Sequence, residues 1–376
     1  CCILPVPVGF MPFKGTGGEI KILIIALDYD YLPEARLTCY KDAKTMFRIA
    51  GRAGVEDITV LNDKHGVGGR NFPTRSVVLR HIQMVGRRCK PGDWFVWFWA
   101  GHGVSVPDAT GDEEDGFDQA FVTPDKKGRL TQKALLIDDD FACALDAFVP
   151  DGVRILCVCD CCHSGTICDI DTFDYRHEIY QISASQDHEE AEDIGHGGVL
   201  TTALRRSVRQ LSVQRGISEF SIQEVVDQSR KYAERITTQQ ELSFQFSGTD
   251  PLRVAWPLSY PWWEYIQNPL LRLDLADHEE QEDVELIGSG LPKQLERRGG
   301  VAGGSVTRPR WHFQSVMEQA MPQARLAVPA PHQAAVIASP PAMMTHPSQP
   351  WPPLLRHRPG LALQRPLSGY ESWRPY

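Results

Sequence analysis

The sequence lacks features that mark several protein classes. Its 376 residues contain no run of 18 apolar residues, so no transmembrane helix is predicted. Basic residues do not dominate: 39 Lys and Arg stand against 48 Asp and Glu, a formal net charge of −9 that argues against nucleic acid as the main partner. No internal repeat is present. Neither Ser105 nor Ser164 lies in a G-x-S-x-G turn, which argues against a serine hydrolase.

A zinc site of the usual spacing is also missing, although the chain has ten cysteines. Five of them lie in Cys157–Cys168, with no second CxxC-type pair at the distance that zinc ligands require. Cys157, Cys159 and Cys161 alternate along one apolar run and cannot all pair with one another. We interpret them as small core residues and expect a reducing, cytoplasmic setting. A thiol metal cluster is the alternative.

Composition divides the chain near residue 258. Residues 1–18 are expected to be an N-terminal remnant, because the chain begins at Cys1 rather than Met and its apolar start lacks the basic segment and cleavage site of a signal peptide. Residues 19–258 alternate strand and helix patterns. This spacing predicts an α/β fold with a mostly parallel central sheet flanked by helices on both faces. Residues 259–376 are rich in Pro and Gly after an acidic run, and we predict a disordered tail there.

Two short apolar runs each end at a reactive side chain. Trp94–Gly103 (WFVWFWAGHG) reaches His102, and Ile155–Gly165 (ILCVCDCCHSG) reaches Cys162. Such runs predict strands buried in a parallel sheet, whose ligands bind beyond the carboxyl ends of the strands. A thiol and an imidazole at that edge predict a cysteine hydrolase, with the amides of Gly103 and Cys162 as oxyanion donors. The alternative is a core cysteine and an unrelated loop histidine.

Four motifs, in this order, resemble those of the metacaspases in the caspase–haemoglobinase (clan CD) superfamily. They are AGHG (100–103), DCCHSG (160–165), ISASQD (182–187) and GVLTTAL (198–204). The resemblance covers about residues 20–256 and implies a caspase-like three-layer sandwich. It makes residues 19–190 the p20-like catalytic region and 191–258 the p10-like region of the same domain. It also implies that Cys162 is the nucleophile and His102 the general base and acid.

Two departures from the family pattern motivate a rival hypothesis. Cys161 stands where the family usually has serine, and Ala100 stands where many members have serine. The rival is a catalytically weak or inactive caspase-like module that serves as a scaffold or in protein quality control. Because both His102 and Cys162 are present, we expect an active endopeptidase.

Resemblance to the metacaspases implies cleavage after Arg or Lys. A pocket for a basic side chain needs buried carboxylates that form charge-assisted hydrogen bonds. Asp160 precedes the nucleophile by two residues on the same face of its strand, and Asp42 matches the second pocket acid of the family, with Cys39 beside it. Asp187 is a weaker third candidate. Without the resemblance, Asp42 would be interpreted as a solvated helix carboxylate.

Acidic residues cluster in three separate segments: 111–118, 138–140 and 169–171. A hard divalent cation such as calcium takes 6–8 oxygen ligands, yet no EF-hand is present and composition alone favours solvated loops. The resemblance implies calcium as an activator. Its expected ligands are Asp118, Asp139, Asp140 and Asp169. The expected partners are protein or peptide substrates with a basic P1 residue, with no nucleic acid and no membrane, and the protein is expected to be a monomer.

Overall fold

The computed structural model describes residues 18–259 except 70, 109, 112, 114–115, 187–190, 192–196, 216–218 and 238–239. The predicted remnant before residue 18 and the predicted tail after residue 259 lie outside the described residues. No helix in the described part of the chain has the length and apolar character needed to cross a bilayer. The helices and strands, in chain order, are β1 (Ile20–Ala26), α1 (Tyr40–Arg52), β2 (Asp57–Asn62), α2 (Arg75–Gly86), β3 (Trp94–Ala100), β4 (Gly103–Pro107), β5 (Phe117–Phe121), β6 (Leu136–Ile137), α3 (Asp138–Phe148), β7 (Arg154–Asp160), β8 (Ile179–Ser183), α4 (Val199–Arg215), α5 (Ile222–Ile236) and β9 (Ser243–Ser247).

Six strands form the central sheet in the order β2-β1-β3-β7-β8-β9. The first five are parallel to their neighbours, and only β9 pairs antiparallel, with β8. The strands β1, β3 and β7 occupy the middle and are buried along almost their whole length. This burial explains their continuous apolar sequences. The predicted fold class is confirmed.

Helices cover both faces of this sheet, which gives three layers. Val96 and Phe98 of β3 belong to a core shared with α1, α4 and α5. Trp97 and Trp99 belong to the opposite core, shared with α2 and α3. Successive residues of a strand point to opposite faces, so one apolar strand supplies both cores.

A second, smaller sheet of three antiparallel strands (β4-β5-β6) follows the histidine segment. The sequence of this segment by itself predicts only a long acidic loop, followed by one short strand at Gln119–Thr123. The alternation of Val104 and Val106 with less buried neighbours is too short to stand out beside the acidic residues that follow. The first strand of the small sheet, β4, begins three residues after the end of β3, at the same edge of the central sheet.

The first helix begins later than its apolar pattern suggests. The spacing of the apolar residues between Leu37 and Ile49 predicts a helix over Ala35–Gly54. The structure differs, since α1 begins at Tyr40 after a short 3₁₀ turn at Pro33–Ala35. Asp28 fixes this start, since its Oδ1 accepts a hydrogen bond from the Tyr40 amide at 2.6 Å. Because the helix starts late, Ala35 lies outside it, and the carbonyl oxygen of Ala35 contacts the ring of His102.

Candidate active site

The register of the central sheet brings the predicted thiol and imidazole to one edge. The strands β3 and β7 are neighbours, with Ala100 opposite Asp160. His102 and Cys162 each lie two residues beyond this pair. A Cβ atom added to Gly103 would lie 2.1 Å from the carbonyl oxygen of Cys162, so the two segments are in direct contact.

His102 is held as a neutral imidazole with a defined tautomer. Its Nε2 lies 2.8 Å from the carbonyl oxygen of Ala35. A carbonyl oxygen only accepts, so we assign the proton to Nε2, and Nδ1 is left as the basic nitrogen. Burial lowers the pKa of His102 to about 4, against a smaller opposing effect of the Ala35 hydrogen bond. A neutral imidazole of this tautomer can take a proton through Nδ1.

Tyr29 contacts the same histidine from the other side, and sequence reasoning missed it. The His102 amide donates a hydrogen bond to the Tyr29 hydroxyl at 3.2 Å, and that hydroxyl donates to the carbonyl oxygen of Val122 at 2.7 Å. The two rings lie 4.9 Å apart between centroids. Nothing in the local sequence separates Tyr29 from an ordinary core tyrosine.

The two adjacent thiols lie in different environments. Cys161 is 1% exposed, and burial raises its pKa well above the usual value because a thiolate there loses its hydration. Cys162 is half-buried, and its Sγ accepts a hydrogen bond from the Ala191 amide at 3.2 Å. Reactivity requires access and the thiolate form, so the arrangement favours Cys162 as the nucleophile.

A buried glutamine of β8 holds the loop that follows the thiols. Gln181 Nε2 donates to the carbonyl oxygens of Ser164 at 2.8 Å and Gly165 at 2.6 Å. Its Oε1 accepts from the Cys168 amide at 3.0 Å. Sequence reasoning missed Gln181, although a glutamine within an apolar strand (IYQIS) is a signal that it satisfies buried backbone groups.

The Gly103 amide points away from the small sheet. Gly103 pairs with Phe121. In the next pair along the ladder, His102 and Val122, the Val122 amide donates a hydrogen bond to the His102 carbonyl oxygen at 3.1 Å. Bonded and non-bonded pairs alternate in an antiparallel ladder, so the Gly103 amide is directed away from β5. This is the orientation that an oxyanion donor next to Cys162 needs.

Two of the predicted pocket acids meet at the start of α4. Asp42 Oδ1 accepts from the Gly198 amide at 2.9 Å, and Asp160 Oδ2 accepts from the Thr201 amide at 2.9 Å and the Thr201 hydroxyl at 2.6 Å. A Cβ atom on Gly198 would lie 2.3 Å from Asp160 Oδ2. Both carboxylates therefore contact Gly198, and they are 3% and 6% exposed. The predicted Cys39 is buried immediately before α1.

The third predicted pocket acid, Asp187, lies outside the described residues.

An acidic cluster with two buried members lies beside the small sheet. Carboxylate oxygens of Glu113, Asp138 and Asp169 all lie within 4.8 Å of one another. The pKa of Asp138 is raised to about 9, first by burial and then by the charges of Asp169 and Asp118. Carboxylates this close cannot all ionise without a counter-charge, so the cluster fits a hard cation with oxygen ligands.

This cluster differs from the predicted ligand set in the aspartates that begin α3. Of the four predicted ligands, Asp169 belongs to it and Asp118 is buried next to it. Asp139 and Asp140 are not members, and Asp138 takes their place. Asp140 forms an ion pair with Arg75, and Asp139 accepts a hydrogen bond from the Thr110 hydroxyl at 3.3 Å.

Comparisons with known proteins match part of this chain to the metacaspases. Residues 21–171 match the family model for the metacaspase, peptidase C14 domain. The chain is 29% identical to metacaspase-2 of Trypanosoma brucei brucei over 168 residues, which cover 43% of this chain and 47% of that protein. It is 31% identical to metacaspase-3 of Trypanosoma cruzi over 169 residues, 43% of this chain and 46% of that protein.

It is also 32% identical to metacaspase-1 of Kluyveromyces lactis over 156 residues, 41% of this chain and 35% of that protein. The matched segment thus spans less than half the length of each of these relatives. Among solved structures, a protein from Geobacter sulfurreducens matches with a TM-score of 0.49 and 24% identity, covering 65% of this chain and 99% of that one.

Proposed function

We propose that this chain is a metacaspase-like cysteine peptidase, a calcium-dependent endopeptidase that cleaves after Arg or Lys. The match of residues 21–171 to the metacaspase family model and the similarity to curated metacaspases support the proposal. The observation that carries the proposal is the meeting of Asp42 and Asp160 at Gly198, next to the segment of Cys162. It supports a pocket for a basic side chain, because it brings two buried carboxylates together close to the strand end that carries Cys162.

The reaction begins with proton transfer from the Cys162 thiol to Nδ1 of His102. The thiolate attacks the scissile carbonyl carbon, and the amides of Gly103 and Cys162 stabilise the oxyanion. The imidazolium then gives its proton to the leaving amine, and a thioester remains on Cys162. A water molecule, deprotonated by the same Nδ1, hydrolyses the thioester and regenerates the thiol. The Ala35 carbonyl oxygen keeps the ring oriented throughout.

The pocket selects a cation for an electrostatic reason. Two buried carboxylates that contact one residue repel each other, and a guanidinium or ammonium group placed between them removes this cost. In the described structure the amides at the start of α4 stabilise them, as the positive end of a helix does. An aspartate at P1 would add a third negative charge, so Asp42 and Asp160 exclude it.

The acidic cluster is where calcium would bind. Glu113, Asp138 and Asp169 would supply the oxygen ligands, with Asp118 beside them. A bound cation would neutralise these carboxylates and fix Asp169, which lies in the same loop as Cys162, between β7 and β8. Calcium would therefore act on the nucleophile by ordering its loop.

One assay tests the proposal. The purified protein is incubated with peptides that carry Arg, Lys or Asp at P1, with calcium or with a chelator. We expect cleavage of the Arg and Lys peptides only, in calcium only, and its loss in Cys162→Ala but not in the matched Cys161→Ala. Asp160→Asn should lower kcat/KM for the Arg peptide by about tenfold or more.

The opposite outcomes are informative. Cleavage that survives Cys162→Ala and disappears in Cys161→Ala would show that Cys161, and not Cys162, is the nucleophile. Absence of cleavage of every peptide, with calcium present, would favour the non-catalytic scaffold.

A further inference from the structure

We infer that Tyr29 is a positioning residue that sets the orientation of His102, and that the Asp63 carboxylate holds Tyr29 in place. The inference rests on the proposed function in so far as His102 serves as the base. It concerns residues of three adjacent strand ends, since Tyr29 follows β1, Asp63 follows β2 and His102 follows β3.

The backbone of Tyr29 adopts a conformation that its side chain disfavours. Its φ is 53°, in the left-handed region where a Cβ atom crowds the following carbonyl oxygen. Such conformations persist where surrounding interactions determine them, and they concentrate at functional sites. A glycine would fit here without strain, so the presence of tyrosine indicates that its side chain is needed.

Asp63 supplies the interactions that maintain this turn. Its Oδ1 accepts from the Asp28 amide at 3.1 Å and its Oδ2 accepts from the Tyr29 amide at 2.7 Å. Asp63 is buried, and burial is the main reason why its pKa is raised. The two bonds engage both carboxylate oxygens with consecutive amides, which fixes the direction of the Tyr29 side chain.

The Tyr29 hydroxyl then fixes the main chain of the histidine. It accepts from the His102 amide and donates to the Val122 carbonyl oxygen, at 3.2 and 2.7 Å. Burial raises the pKa of Tyr29 well above its usual value, so the hydroxyl keeps its proton and remains a donor. The phenol thus joins the end of β3 to the residue after β5.

The same turn also sets the histidine ring. The Leu32 amide donates to the Tyr29 carbonyl oxygen at 2.8 Å, and the Ala35 amide donates to the Leu32 carbonyl oxygen at 2.9 Å. The Ala35 carbonyl oxygen accepts from His102 Nε2. Tyr29 therefore acts on His102 twice: directly through its hydroxyl, and through a short chain of backbone hydrogen bonds that ends on the ring.

A matched pair of variants tests the inference. Tyr29→Phe removes the hydroxyl that binds His102. Tyr31→Phe removes a buried hydroxyl that has no hydrogen-bond partner among the described residues. The measurement is the rate at which iodoacetamide alkylates Cys162, followed by mass spectrometry of its peptide across a pH range. This rate reports the coupling of thiol and imidazole and needs no peptidase activity. The His102→Ala variant defines the uncoupled profile.

We expect Tyr29→Phe to slow alkylation at neutral pH about threefold to tenfold and to shift its pH midpoint toward that of His102→Ala. The kcat for an Arg-P1 peptide should fall by a similar factor while KM stays within about twofold. Tyr31→Phe should match the wild type in both measurements. Asp63→Asn, which replaces one of the two acceptors, should change alkylation in the same direction as Tyr29→Phe.

The inference is overturned if Tyr29→Phe and Asp63→Asn keep the wild-type alkylation profile, even if either variant is less stable. If Tyr29→Phe does not fold, the profile of Asp63→Asn alone decides. A wild-type protein whose alkylation profile equals that of His102→Ala would refute the role of His102, and with it the inference. A protein that shows the expected profiles but cleaves no peptide would refute only the proposed activity.

Discussion

A methyl group at position 103 should inactivate the protein without unfolding it. The Cβ of Gly103→Ala would lie 2.1 Å from the Cys162 carbonyl oxygen, whereas ordinary contacts begin near 3.4 Å. The separation must therefore grow by more than 1 Å. The Cys161 Sγ, 3.3 Å from the same position, restricts movement in another direction. The backbone on both sides is held, by β4 on one and by Gln181 on the other.

The magnitude follows from this displacement. A shift of about 1 Å in a reacting group costs about a hundredfold in rate, so kcat/KM for an Arg-P1 peptide should fall by about that factor. Overpacking should cost about 1–3 kcal/mol of the free energy of unfolding, measured by urea denaturation. Gly51→Ala is the matched control, because a Cβ at that helical position meets nothing within 4 Å. It should keep full activity.

Wild-type kcat/KM in Gly103→Ala would refute this reasoning, since the methyl group could then be accommodated without moving Cys162. An equal loss of activity in Gly51→Ala would show that the effect is not local.

Three further outcomes are expected. When the pH is lowered from ~7.5 to ~5, the free energy of unfolding of the wild type should fall by about 2 kcal/mol more than that of His102→Gln. The reason is that the imidazole of the unfolded chain takes up a proton below its usual pKa, whereas the buried imidazole stays neutral down to a pKa of about 4. Equal losses of the two proteins in urea denaturation would contradict this prediction. By calorimetric titration, Asp138→Asn should weaken calcium binding at least about tenfold and Asp139→Asn should not, and the reverse order would refute the ligand set. Gln181→Leu should lower the free energy of unfolding by about 3 kcal/mol, because it leaves the Cys168 amide and two buried carbonyls unsatisfied, and a loss below about 1 kcal/mol would refute that.

The sheet and the two strand ends could be predicted because burial leaves a strong pattern in the sequence. Continuous apolar runs marked β3 and β7, and parallel strands deliver their carboxyl ends to one edge. This sufficed to place His102 and Cys162 near each other. The acidic run that begins at Asp138 predicts a helix over Asp138–Phe148, and the run SFQFS predicts a strand at Ser243–Ser247. Both agree with the structure.

The parts of the site that depend on a helical phase or a single backbone angle could not be predicted. Three consecutive aspartates begin α3, and only the packed structure shows that Asp138 faces the acidic cluster while Asp140 faces Arg75. Tyr29 adopts a left-handed backbone φ angle, which no pattern of residues in the sequence predicts. The contribution of Gln181 depends on a loop distant in the sequence, so its partners could not be named.

The contact of both predicted pocket acids with Gly198 has a consequence for a chain cut between the predicted p20-like and p10-like regions. Asp42 and Asp160 belong to the first region, whereas Gly198 and Thr201 belong to the second. The strand β9 of the second region also pairs with β8 of the first along five residue pairs. We therefore expect the two fragments to remain a noncovalent heterodimer, and neither would carry the complete proposed pocket alone. If the two fragments are produced separately, each should be inactive, and mixing them should restore activity because each supplies part of the proposed pocket.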